Sequence, residues 1–168
     1  ACAFDGPCSI RYPKSAVSLP EGYSVSSFEI GKWLTLREGT DAVILAVGSM
    51  VATALRVAEA LAQDGISLTV VNASTVKPLD MECLRRVFEM ERPIFTLEEH
   101  VRMAGFGSSV LEAASEMGFQ PQVKLLAVDD YFVPHGDHAH LLRDTGLDDE
   151  SVIRTIRTEL NREESTNV

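Results

Sequence analysis

Six apolar residues in a row, Ala42 to Val47, lie between a polar turn at Glu38-Gly39-Thr40 and the pair Gly48-Ser49. A run of that length suits a strand covered on both faces and is far too short to cross a bilayer. Such a strand demands helices above and below it, and the next residues supply one. Val51, Ala54, Leu55, Ala58, Leu61 and Ala62 recur at the 3.6-residue period, with Ser49 placed to cap the helix and Gly65 to stop it.

The alternation then repeats. Ser67 to Val71 reads as a strand, Asp80 to Met90 as a helix with Met81, Leu84 and Phe88 inward, and Pro93 to Leu97 as the next strand. Gly107-Ser108 opens a helix carrying Val110, Leu111, Ala114 and Met117, and Val123 to Val128 forms another strand. A last helix, about Glu150 to Leu160, turns Val152, Ile153, Ile156 and Leu160 inward. Ahead of all these, Trp33 to Arg37 alternates as an edge strand or hairpin arm does. Strands alternating with helices through short turns predict an α/β fold, a doubly wound and mostly parallel sheet between two helix layers. Fold alone assigns no chemistry.

The first thirty residues read differently. Phe4-Asp5-Gly6-Pro7 is a turn, Ser9-Ile10-Arg11 a short strand-like piece ended by Pro13, and Ser15 to Glu29 a polar stretch suited to an exposed linker. The expected organisation is a remnant of a preceding domain over 1–14, a linker over 15–29, the α/β domain over 30–160, and a polar, fraying tail over 161–168.

Charge narrows the partners. With 25 acidic and 15 basic residues the net charge is −10, and no basic stripe marks a nucleic-acid surface. Cys2, Cys8 and Cys83 form no CxxC and are odd in number, which argues against a secreted disulfide framework. The N-terminus carries no basic region followed by an apolar run. The expectation is a soluble, cytoplasmic protein with reduced thiols, contacting neither nucleic acid nor membrane.

In open parallel sheets ligands gather beyond the carboxyl ends of strands, so those segments hold the candidate chemistry. Gly48-Ser49 lacks the GxGxxG pattern, and a helix cap is its expected role. Glu98-Glu99 closes a buried strand ahead of a loop with Gly105, Gly107 and Ser108 that opens a helix. Those glycines allow close backbone approach, and the free N–H groups of the helix start suit an anion. Equally, Glu98 or Glu99 satisfies those N–H groups, within the domain or across a subunit contact. His135, His138 and His140 raise a metal site, but on a helix His138 and His140 point apart, and a solvated or capping role is expected. Arg11 and Lys14 flank Tyr12-Pro13 and form a pair able to hold a phosphate, the arginine as a fork and the lysine as a point charge. No GxSxG elbow, P-loop or HExxH is present.

In order along the chain, Gly6-Pro7-Cys8-Ser9-Ile10-Arg11-Tyr12-Pro13-Lys14, Ile30-Gly31-Lys32, Leu36-Arg37-Glu38-Gly39-Thr40-Asp41, Val76-Lys77-Pro78-Leu79-Asp80, Glu98-Glu99 with Gly105-Phe106-Gly107-Ser108, Phe132-Val133-Pro134-His135-Gly136 and Gly146-Leu147-Asp148 resemble the 1-deoxy-D-xylulose-5-phosphate synthase family of the transketolase superfamily. Single pieces also recur in transketolases and in β subunits of 2-oxoacid dehydrogenases. The Arg-Tyr-Pro, Pro-His-Gly and Gly-Leu-Asp segments together favour the synthase.

The resemblance implies the third domain of a three-domain, homodimeric enzyme, with the end of the pyrimidine-binding second domain before it. It implies a five-stranded sheet whose first strand is antiparallel. It also implies a reaction joining pyruvate to glyceraldehyde 3-phosphate with release of carbon dioxide, using thiamine diphosphate and magnesium. No catalytic, cofactor or metal residue of that family falls in this chain; they belong to preceding domains. The family's phosphate-binding arginine falls on Lys14, which keeps the charge and loses the bidentate fork. Ala104 stands where the family usually has glycine. The implied role is a structural, dimer-supporting domain that is inactive alone. A reading of another class is a free-standing domain that binds a small molecule or regulator.

Overall fold

The computed structural model describes residues 5–10 and 28–166, with side chains through Asn161 in the last helix. The described residues form five strands, β1 (Leu34–Arg37), β2 (Ala42–Ala46), β3 (Leu68–Asn72), β4 (Ile94–Val101) and β5 (Val123–Val128). Five helices accompany them: α1 (Met50–Ala62), α2 (Met81–Glu89), α3 (Phe106–Glu116), α4 (His138–Thr145) and α5 (Asp149–Thr166). The strands make one sheet in the order β1-β3-β2-β4-β5, with β1 antiparallel to β3 and the other pairs parallel. This is the expected α/β/α sheet with its antiparallel first strand.

The apolar run of β2 explains the layering. Side chains on a strand alternate faces. Ala42, Ile44 and Ala46 join a cluster with Leu55, Leu61, Val152 and Ile156 of α1 and α5. Val43 and Leu45 join the opposite cluster with Leu84 and Phe88 of α2 and Phe106 and Val110 of α3. Every residue of β2 is buried.

Trp33 and Asp80 lock the edge of the second cluster. The Asp80 carboxylate accepts the Cys83 N–H at 2.9 Å, capping α2, and the Trp33 backbone N–H at 2.9 Å. The Trp33 indole donates to the Thr75 carbonyl at 2.8 Å and meets the Phe106 ring edge-on, with centroids 5.6 Å apart. Outside this junction Lys32 pairs with Glu82, which raises the lysine pKa and lowers that of the carboxyl. Burial pushes the Cys83 thiol up.

Some expectations are corrected. Met81 and Leu111, expected inward, are exposed, because each lies off the buried stripe of its short helix. Helix α4 was not foreseen: it carries no fully buried residue, so its apolar period is weak. Strand β4 runs on to Val101, and α5 continues past Leu160 to Thr166. The Gly146-Leu147-Asp148 segment joins these last two helices. Gly146 takes the left-handed conformation at φ 72°, Leu147 N–H reaches back to the Leu142 carbonyl at 2.8 Å, and Leu147 enters the core. No helix among the described residues is long and apolar enough to cross a membrane.

Candidate functional site

The chain steps from β2 to β3 on one side and then returns to place β4 on the other side of β2. That reversal opens a crevice between the carboxyl ends of β2 and β4, where open α/β sheets bind their ligands. A cavity of ≈ 660 Å³ lies there, and Val47, Ser49, Val76, Glu99, His100 and Phe106 are among its walls.

Two adjacent carboxylates divide the site. Neighbouring residues on a strand point to opposite faces, so Glu98 and Glu99 serve different layers. Glu98 is 2 % exposed and turns toward α3. Its oxygens accept the Phe106 N–H at 2.7 Å and the Gly107 N–H at 2.8 Å. Of the two roles open to the loop, the chain's own carboxylate fills the helix start; an added anion there meets an occupied position of like charge.

The two loop glycines make that fit possible. A Cβ on Gly105 would lie 2.4 Å from the Val101 carbonyl oxygen and 2.8 Å from Glu98 Oε2. A Cβ on Gly107 would lie 2.6 Å from Leu125 Cδ2 and 2.7 Å from Thr96 Oγ1. Both positions need glycine for close approach. Ala104, before them, adopts the left-handed conformation at φ 56°, which explains why a glycine suits that place. Ser108 Oγ closes the loop by donating to the Arg102 carbonyl at 2.9 Å.

Glu99 turns the other way. It accepts a hydrogen bond from Ser49 Oγ at the start of α1 and pairs with His138 Nε2 at the start of α4. Ser49 therefore does not cap α1 with its side chain, contrary to expectation; the nearby carboxylate is the stronger acceptor. His138 stays partly exposed and spends its ring nitrogen on Glu99. The carboxylate stands between serine and histidine, so serine and histidine do not meet as nucleophile and base.

His140 faces Asp144 on its own helix at 3.4 Å, away from His138. His135 is exposed on the loop before α4. Among the described residues no three His, Cys, Asp or Glu converge on a metal position. Arg102 pairs with Asp129 at 2.8 Å, tying the β4–α3 loop to the end of β5. Arg11 and Lys14 lie outside the described residues. The sequence missed the Glu99 bridge because its partners stand 50 and 39 positions away. The one local signal was a pair of acids at a strand end, which alternation must send to opposite layers.

With a doubly wound sheet, an antiparallel first strand and a self-capped carboxyl edge in place, the class is defined. The chain belongs to the transketolase family, and residues 31–152 match the model of the transketolase C-terminal domain. Among its relatives are 1-deoxy-D-xylulose-5-phosphate synthases. That of Shouchella clausii is 41% identical over 92% of this chain, and that of Thermus thermophilus 43% identical over 90%. The chain spans only about a quarter of either relative, 25% and 24%. Among solved structures, a split-gene transketolase described as an inactive β4 tetramer superposes with a TM-score of 0.74 at 35% identity, covering 85% of this chain and 46% of that one. A transketolase mutant from Pichia stipitis shares the fold at a TM-score of 0.57 and 17% identity, over 77% of this chain and 18% of that one.

Proposed function

We propose that this chain is the C-terminal, dimer-supporting domain of a cytoplasmic 1-deoxy-D-xylulose-5-phosphate synthase, inactive by itself. The whole enzyme condenses pyruvate with glyceraldehyde 3-phosphate and releases carbon dioxide, in the route to isoprenoid precursors. The observation that carries this reading is identity above 40% with such synthases over nine-tenths of the chain. The geometry agrees with a scaffold: the helix start at the carboxyl edge is filled by Glu98, and Glu99 is spent joining α1, β4 and α4.

Thiamine diphosphate and magnesium supply the carbanion chemistry of that reaction. The described residues do not fit them, because Glu98 occupies the N–H groups of α3 and repels a diphosphate, and no metal-ligating group converges. Both are assigned to preceding domains. Arg11 and Lys14 are assigned to the phosphate of the acceptor, from their place in the Arg-Tyr-Pro segment.

The test is an assay of the full-length polypeptide with pyruvate and glyceraldehyde 3-phosphate, beside this chain alone. Product should form only with the full polypeptide, thiamine diphosphate and magnesium. Use of a ketose donor in place of pyruvate would make the enzyme a transketolase instead, the reading favoured by the split-gene neighbour. In the same enzyme Lys14→Ala should raise KM for the phosphorylated acceptor about ten-fold or more and spare that for pyruvate. An unchanged acceptor KM removes Lys14 from the site.

A further inference from the structure

The sheet ends on β5, and that free edge is built differently from the one opposite. Strand β1, at the other end, has four residues and a register shift between Thr35 and Arg37, a break that blunts pairing. Strand β5 has six residues and keeps even register with β4 from Val123 to Leu126. Ile94 N–H donates to the Gln122 carbonyl at 2.9 Å and Arg102 N–H to the Val128 carbonyl at 2.8 Å, so the even-numbered residues face β4. Val123, Leu125 and Ala127 therefore turn their N–H and C=O groups off the sheet. Among the described residues these groups meet no main-chain partner.

A cavity of ≈ 430 Å³ lies between this edge and α5, with Leu125, Ala127, Gly146 and Thr158 among its walls. Three cations also line it, Arg102, Lys124 and Arg154, on a chain whose net charge is −10. Lys124 pairs with Glu159 at 2.7 Å near the start of β5, and Arg102 with Asp129 at 2.8 Å just past its end. Both pairs are partly exposed, where an ion pair holds weakly and its cation can take a second carboxylate. Arg154 pairs with no carboxylate among the described residues; its guanidinium donates to Ser151 Oγ at 3.1 Å.

A bare anion suits this cavity poorly. The outward C=O groups of Leu125 and Ala127 alternate with the N–H groups, and Thr155 and Thr158 spend their protons on the Ser151 and Arg154 carbonyls at 2.9 and 2.8 Å, leaving acceptors. Donors and acceptors in alternation are matched by an extended peptide, and the cations are matched by carboxylates at every second residue of it. We infer that the free edge of β5 accepts an extended acidic segment of a partner polypeptide as an added strand, its carboxylates meeting Lys124, Arg154 and Arg102. The inference is independent of the reaction assigned above.

The probe is a capped peptide of about eight residues alternating glutamate and valine, beside its lysine–valine counterpart. Hydrogen exchange is read at single-residue resolution on this chain and on the full-length polypeptide. The acidic peptide should slow the outward amides of Val123 and Leu125 at least about ten-fold, and change Lys124 and Leu126, already bonded to β4, much less. The lysine peptide should protect neither. Arg154 is exposed on α5, so Arg154→Glu should keep the native melting temperature and weaken binding of the acidic peptide at least about ten-fold. Equal binding of the two peptides, or protection at β1 in place of β5, overturns the proposal. The same protection from free glutamate makes the cavity a simple anion site and overturns it too. Protection without peptide also defeats it: if it grows with concentration a second copy is the occupant, and if it appears only in the full-length polypeptide the preceding domains are.

Discussion

Adjacent glutamates at the end of β4 show how one residue step decides a role. Glu98 supplies both oxygens to N–H groups of α3 in a buried position, so Glu98→Ala leaves two donors without partners. Losing these charge-assisted bonds should cost about 2–4 kcal/mol, read from the urea midpoint. Glu98→Gln keeps one oxygen and should lose less. A midpoint unchanged in the alanine variant would contradict the capping role. Ala104 presents the opposite case. Its φ of 56° costs about 1–2 kcal/mol for a residue with a Cβ. Glycine removes that strain and adds about 0.4–1 kcal/mol of unfolded-state entropy. Ala104→Gly should therefore stabilise the fold by up to about 1 kcal/mol in the same titration. A lower midpoint would show that the loop's contacts outweigh its backbone strain.

At the scale of elements, the junction of β1 with α2 depends on one side chain. Asp80 caps α2 and takes the backbone N–H of Trp33, while Lys32 pairs with Glu82 across the same junction. Removing the cap costs about 1 kcal/mol and orphaning the Trp33 N–H about 1–3. Asp80→Ala should thus destabilise by about 2–4 kcal/mol, with Asp80→Asn intermediate. Trp33 is the only tryptophan, so its fluorescence reports this junction directly. If the indole emission of the alanine variant matches that of the native chain and the midpoint does not move, the lock is elsewhere. The same motif, Val76 to Asp80, shows how far local pattern reaches. It announces the start of α2 through an aspartate followed by an apolar period, yet nothing local tells that the carboxylate also reaches Trp33, 47 positions earlier.

For the whole molecule, the two-sided burial of β2 was legible from six letters, and the layered α/β fold followed from repeated strand and helix periods. These features are local: side-chain alternation and the 3.6-residue turn are properties of the backbone itself. Helix α4 was not legible because its residues bury little, and periodicity reports only burial. The roles of Ser49, Glu99 and His138 were not legible because each depends on which strand ends the topology brings together. By itself the sequence determined the layers, the elements that fill them and the acidic, glycine-bearing end of β4. Only the tertiary structure decided that Glu98 closes the helix start and that Glu99 binds two distant elements. The reason is that strand order, not chain order, sets which carboxyl ends meet, and a hydrogen bond needs its partner within about 3 Å.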